Sequence, residues 1–178
     1  MHRVVITGGP GAGKTTLLGE LARLGYGAVQ ESARAIIAER LKRGETPRPE
    51  PSAFAHEILR RDIEKFEGAA GCLGWVFFDR SVVESLGMVS QAASLHEEQL
   101  QAMLLKYTFN RNVFVLPPWA AIYTNDAERD QTFAESVRVH AAVVAWYGEC
   151  GYIVHEVPHN SVEQRAKYVL GVLGKSAA

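Results

Sequence analysis

Residues 4–15 read VVITGGPGAGKT, and this stretch constrains the fold more than any other in the chain. Three apolar residues lead into four glycines around a proline, and then a lysine and a threonine. Such an arrangement makes a poor core. Its residues do satisfy the spacing G-x-x-x-x-G-K-T, with Gly8, Gly13, Lys14 and Thr15 at the defining positions. The physical reason for that spacing is direct. Glycines let the backbone curl around an anion and turn several N–H groups inward. A helix that follows presents its positive N-terminus to the same anion. Gly8, Gly9, Pro10, Gly11, Ala12, Gly13, Lys14, Thr15 and Thr16 are therefore expected to hold a triphosphate. Lys14 would reach the β- and γ-phosphates, and the Thr15 hydroxyl would ligate Mg²⁺. A Gly-rich turn that binds nothing is the competing reading. The apolar strand before the loop and the amphipathic helix after it argue against that reading.

The base is expected to be adenine. Guanine-specific proteins with this loop usually carry N/T-K-x-D after a late strand. The segments here read PPWAAIYTND after Leu116 and PHNSVEQR after Val157. Neither contains the element, so ATP is the expected nucleotide.

The rest of the chain sets the frame. Its 178 residues are enough for one domain with a sizeable core, and a single domain over 1–178 is expected. A formal net charge of −1, from 19 basic and 20 acidic residues, offers no global attraction for nucleic acid or anionic membrane. Cys72 and Cys150 form no CxxC or CxxH unit, so neither zinc nor a disulfide framework is expected. Met1 is followed almost at once by an apolar strand, so no signal peptide is expected and a reducing cytoplasm is.

Short apolar runs alternate with helical patterns. Strands are expected at 4–6, 26–29, 75–78, 113–116 and 152–157. Between them, Leu17, Leu21 and Leu24 recur at helical spacing, with Gly25 as a stop. A second helix is expected after an Ser32 N-cap, ending before Gly44. Ser52 would open a long helix after the TPRPEP loop, with Phe54, Ile58 and Phe66 on its buried side and its end near Gly71. Ser81 with Glu84, Ser94 with Glu97, and Ser161 with Gln164 have capping-box spacing. A helix from about Gln131 to Glu149 would bury Phe133, Val137, Val144 and Tyr147. Five strands separated by helices imply an α/β fold with a parallel sheet. Ligands in such sheets sit beyond the carboxyl ends of the strands.

Those ends carry the other candidates. Asp79 follows an apolar strand and is placed to hold Mg²⁺. It could also simply cap the next helix, although Ser81 already supplies a cap. Hydrolytic motors with this loop usually put a glutamate next, to polarise water. Here residue 80 is Arg80, better suited to grip an anionic or hydroxylated acceptor, or else an exposed arginine at a helix start. Glu31 follows the second strand. It is either the base that takes a proton from an acceptor hydroxyl or a solvated residue favourable to a helix dipole. The segment 117–132 reads as a lid-like loop, with Arg129 either delivered to developing charge or left as a surface charge. Trp119 reads as packing before base-stacking, and His159 and Asn160, after the last strand, read as bordering the adenine. Arg60 and Arg61 read as a solvated face.

VVITGGPGAGKTTLL, VQESARAII, VFFDRS, VFVLPPW and NDAERDQTFAESVRVH with GYIVHEVP resemble the "AAA domain" P-loop proteins related to the nicotinamide riboside kinase module. Their order also resembles deoxynucleoside and thymidylate kinases. That resemblance implies a three-layer P-loop NTPase fold with sheet order 2-3-1-4-5. It implies Glu31 as base, and Asp79 with Arg80 on metal and substrate. The chain departs from ring-forming AAA+ motors, having no sensor arginines and no helical lid domain. The expectation is a kinase that transfers the ATP γ-phosphate to a small-molecule acceptor held in part by about 44–71. A nucleotide-dependent ATPase switch acting on a protein partner is the second reading. Neither nucleic acid nor membrane is an expected partner. An apolar face on the helix near 95–105 would permit a homodimer as well as a monomer.

Overall fold

The computed structural model describes residues 2–93, 95–123 and 131–176. The chain divides into two compact units. The first comprises the residues up to Gln30, Cys72–Arg80 and those from Phe109 onward; the second comprises Glu31–Gly71 and Ser81–Thr108.

The first unit is built on a parallel sheet. Its strands are β1 (Arg3–Gly8), β2 (Gly27–Val29), β3 (Val76–Asp79), β4 (Asn112–Leu116) and β5 (Ile153–Glu156), in spatial order β2-β3-β1-β4-β5. The central strands are buried at every residue but Arg3, which is why VVI, VFF and VFVL read as continuous apolar runs. The register sets Ile6 beside Asp79 and Gly8 beside Leu116. Successive side chains alternate between the faces. Val4, Ile6, Phe77, Phe114 and Leu116 meet Leu17, Leu18 and Leu21 of α1 (Lys14–Arg23) and Ala166, Val169 and Leu173 of α7 (Val162–Ser176) in one apolar cluster. Helix α6 (Phe133–Glu149) packs along β1, β4 and β5.

Gly25 stops α1 as expected. At φ +94° it donates to Ala22, and Tyr26 donates to Leu21, the two bonds of a Schellman turn. The start of α6 is better specified than its pattern suggested. Thr132 caps it, with Glu135 bonding back to complete a capping box. Tyr147 is fully buried, but Val137 is 44% exposed, contrary to expectation. Helix α6 turns one narrow face to the sheet, and Val137 does not lie on it.

The second unit is helical: α2 (Ser32–Lys42), α3 (Pro51–Gly68), α4 (Val82–Ala92) and α5 (Glu97–Lys106). Its core draws on Ile36, Ile58, Leu59, Phe66, Val83, Leu86 and Leu100. Phe66 meets Tyr107 edge to face at 5.4 Å. Three expected caps differ. Ser32 is the first residue of α2, and Glu31 holds the N-cap position without a side-chain capping bond. Glu50, not Ser52, caps α3, accepting from the Ser52 and Ala53 amides, with Pro51 in the first turn. His96 precedes α5, and Ser94 lies outside the described residues. Phe54 is only partly buried. Arg61 reaches Glu39 at 2.7 Å and Glu57 at 2.8 Å, so it joins α3 to α2. Arg60 pairs with Glu64 along its own helix.

Ser32 gives up the cap for a tertiary contact. Its hydroxyl donates to Asp62 at 2.5 Å and accepts from Lys65 at 2.9 Å. Burial pushes the Asp62 carboxyl up to about 6, against the opposing hydrogen bonds from Ser32 and Ser85 and the nearby Lys65 charge. The folded chain therefore binds this proton more tightly than the unfolded chain. The stability it contributes is full below the ordinary carboxyl pKa and is lost as pH rises through about 6. Thermal melts between about pH 8 and pH 4 should show it. Asp62→Asn should gain on the wild type above about pH 6, by an amount on the order of 2 kcal/mol, and lose that advantage in acid.

Candidate functional site

The loop between β1 and α1 is held from several sides by its own unit. Gly8 has φ +134°, and a Cβ built there would stand 2.4 Å from the Leu116 carbonyl oxygen at the end of β4. A Cβ on Gly9 would stand 2.4 Å from the Ser136 carbonyl oxygen of α6. The fully buried Ser136 hydroxyl donates to the Pro10 carbonyl at 2.7 Å. A Cβ on Gly11 would strike the Tyr123 ring, and one on Gly13 would stand 2.9 Å from Nη1 of Arg165 in α7. At Gly8 and Gly9 the obstacle is backbone that cannot move aside. Glycine is thus required by packing as well as by conformation.

The cradle is suited to an anion. Gly13 occupies the N-cap of α1 in the left-handed region, with no side-chain capping bond and no acidic residue in the helix's first turn. The first-turn amides and the positive end of the helix are therefore not neutralised by a carboxylate within that turn. Lys14 is 6% exposed, and its ammonium donates to the Gly8 carbonyl at 3.2 Å and the Gly9 carbonyl at 3.1 Å. Its charge is thereby held against the loop. Thr15 and Thr16 are exposed.

Asp79 closes β3 beside Ile6 and is 5% exposed. It is the last strand residue rather than a helix cap. Ser81 caps α4, accepting from the Val83 and Glu84 amides. Arg80 adopts φ +68°, the one positive φ outside glycine among the described residues, and its amide donates to the Ile6 carbonyl at 3.0 Å. A left-handed arginine costs about 1 kcal/mol or more. It persists here because the backbone bond to Ile6 holds the turn. Strain of this kind concentrates at functional sites. No group of three or more His, Cys, Asp or Glu side chains suited to a metal occurs among the described residues. Thr15 and Asp79 fit Mg²⁺, an ion that takes one or two protein ligands and fills its remaining positions with phosphate oxygens and water.

The sheet therefore carries the loop, Asp79 and Arg80 together along its carboxyl edge. Glu31 opens the second unit at the N-cap of α2, with its side chain half-buried. Arg129 lies outside the described residues. The segment after β4 continues into a short 3₁₀ turn, Ala120–Ile122. Ile122 and Tyr123 abut the loop at Gly13 and Gly11. Tyr123 donates its hydroxyl to the Gln131 carbonyl. Trp119 stacks on His159 at 4.7 Å and 16°. Sequence reasoning missed Ser136 and Arg165. Ser136 carries no local signal at all. Arg165 stands in the first turn of α7, where the sequence looks like an ordinary surface helix.

A five-stranded 2-3-1-4-5 parallel sheet with GGPGAGKT between β1 and α1 defines a P-loop protein. A family model for the AAA domain matches residues 3–165, and the chain belongs to that family. No curated protein matches the sequence. Among solved structures the chain is similar to deoxyadenosine kinase from M. mycoides with bound dATP, at 14% identity and a TM-score of 0.62, covering 97% of this chain and 99% of that one. It is similar to thymidylate kinase from Candida albicans, at 13% identity and 0.61, over 99% and 92%. It is also similar to shikimate kinase from Acinetobacter baumannii in complex with shikimate, at 16% identity and 0.59, over 99% and 94%. These likenesses establish a shared fold.

Gly8→Ala should destabilise the protein by about 3 kcal/mol or more, since both the dihedral and the Leu116 carbonyl oppose a methyl group. Gly19, in mid-α1, has nothing within 4 Å of a built Cβ. Gly19→Ala should instead stabilise by about 0.5–1 kcal/mol. Urea unfolding of the two variants reads both signs, and an unchanged midpoint for Gly8→Ala contradicts the packed loop.

Proposed function

We propose that this protein is an ATP-dependent kinase of a nucleoside- or nucleotide-like small molecule. The observation that carries the reading is the Asp79–Arg80 pair: a buried carboxylate at the end of β3, followed by an arginine held in a left-handed turn. An arginine there serves to grip an acceptor, whereas a water-polarising glutamate would favour hydrolysis. The solved structures of similar fold support it, since those proteins are deoxyadenosine, thymidylate and shikimate kinases.

In this reading bound Mg·ATP supplies the phosphoryl group, and the chain supplies position and charge. The loop amides and Lys14 orient the phosphate chain, and Thr15 and Asp79 hold the metal. Arg80 and the segment about 44–71 bind the acceptor. Glu31, at the start of α2 after the second strand, accepts the proton of the acceptor hydroxyl. The segment 117–132, including Arg129, excludes water and steadies charge on the transferring group. Neither nucleic acid nor membrane enters this reading, and the protein acts as a monomer or homodimer. No described helix is long and apolar enough to cross a membrane. Free Cys72 and Cys150 accord with a reducing cytoplasm.

The second reading, an ATPase switch for a protein partner, draws on the same segment. Ile122 and Tyr123 touch the loop itself, so nucleotide state can be passed to residues 117–132.

ADP release from Mg·ATP, assayed against nucleosides, nucleotides and vitamin ribosides, separates the two. Turnover should rise at least tenfold with one acceptor class over turnover with none. Lys14→Ala and Glu31→Gln should each lower that turnover by about 100-fold or more. Equal turnover with and without every acceptor favours the switch, and a fully active Glu31→Gln removes that residue as base.

A further inference from the structure

Arg165 is a buried cation that the kinase reading leaves without a role. It is 6% exposed. Its Nε and Nη1 atoms are buried and make no hydrogen bond among the described residues. Among the described residues it meets the aromatic face of Trp119, 5.6 Å from the guanidinium carbon to the ring centroid. Burial lowers its hold on its proton, with Glu163 acting weakly in the opposite sense. Burying an arginine without an anion is costly, and such groups are retained where they bind something. What Arg165 lies against is the phosphate loop. Its Nη1 atom stands where a side chain on Gly13 would go, at the residue that caps α1 and immediately precedes Lys14.

Sheet order gives the direction. Asp79 ends β3 and Arg80 follows it, on one side of β1, while Arg165 follows β5, beyond β4 on the other side. A nucleotide whose terminal phosphate is directed toward the metal-holding Asp79 must lead its nucleoside end toward β4 and β5. Trp119 and His159, after those two strands, border the same side. We infer that Arg165 is a nucleotide-binding residue that takes the α-phosphate of the donor, acting as a second buried cation of the loop alongside Lys14. The inference rests on the nucleotide-binding reading above. It also accounts for glycine at position 13, since any side chain there would displace the guanidinium.

Arg165→Met tests it, because methionine keeps the apolar stem and removes the charge. Calorimetric titration of the variant should give ADP affinity lower by about tenfold or more. Affinity for inorganic pyrophosphate, which has no nucleoside-linked phosphate, should change by less than about threefold. The melting temperature of the free variant should be unchanged or higher, because an uncompensated buried charge has been removed. Unchanged ADP affinity overturns the inference. Equal losses for ADP and pyrophosphate overturn the α-phosphate assignment. A wild type that binds neither ligand overturns the nucleotide reading, and this inference with it. If the variant does not fold, the wild type decides. The ¹⁵Nε–H signal of Arg165, assigned through Arg165→Lys, should move on ADP titration and saturate with the ADP affinity. A signal that ADP does not move overturns the inference.

Discussion

The contact between the Gly8 backbone and the Leu116 carbonyl is the constraint from which the rest of the site follows. It is an approach of main chain to main chain that leaves no space for a Cβ. Because β1 and β4 pair in parallel with Gly8 beside Leu116, the first residue of the loop is seated in the sheet itself. The curl that follows cannot drift. Ser136 then holds Pro10 from α6, Tyr123 lies on Gly11, and Arg165 lies beside Gly13. A flexible glycine loop would lose much entropy on gripping an anion. This one is ordered by contacts that exist before any ligand arrives, and preorganisation of that kind is what makes backbone amides effective in stabilising charge.

Charge is distributed on the same plan. Two cations, Lys14 and Arg165, are buried against the loop, and α1 adds its dipole without an acidic residue in its first turn to cancel it. Each would be costly in an apolar interior alone. Together they place positive charge around the loop, which is the charge the proposed triphosphate would need. On the β3 side the chain supplies a buried carboxylate, Asp79, and then spends backbone strain to turn Arg80. The two sides of β1 thus differ in what they bring to the loop: a buried arginine from the helix after β5, and a carboxylate followed by an arginine at the end of β3.

Much of this could be read from residue order. Loop, strands and Asp79 declare themselves through continuous apolar runs ended by Gly, Asp or Pro, because a central parallel strand must be apolar on both faces. Helix starts were read less well. Ser32 and Ser52 have the composition of N-caps, yet one bonds Asp62 and Lys65 and the other yields to Glu50. A capping propensity of about 1 kcal/mol is easily outweighed by a tertiary hydrogen bond to a charged group, worth about 1.5–3 kcal/mol. Val137 failed for a related reason: helical periodicity names a face but not its width.

By itself the sequence determined the class of the protein, a parallel α/β chain with an anion loop after its first strand and a carboxylate–arginine pair after its third. Those features are local. They follow from spacing, from the conformations open to glycine, and from the apolar demand of a buried strand. Only the tertiary structure decided which distant side chains complete the loop. Ser136 is 126 positions from Pro10, and no periodicity in α6 or α7 distinguishes Ser136 or Arg165 from their neighbours. Their roles exist only because sheet order carries β4 and β5, and the helices that follow them, back alongside β1.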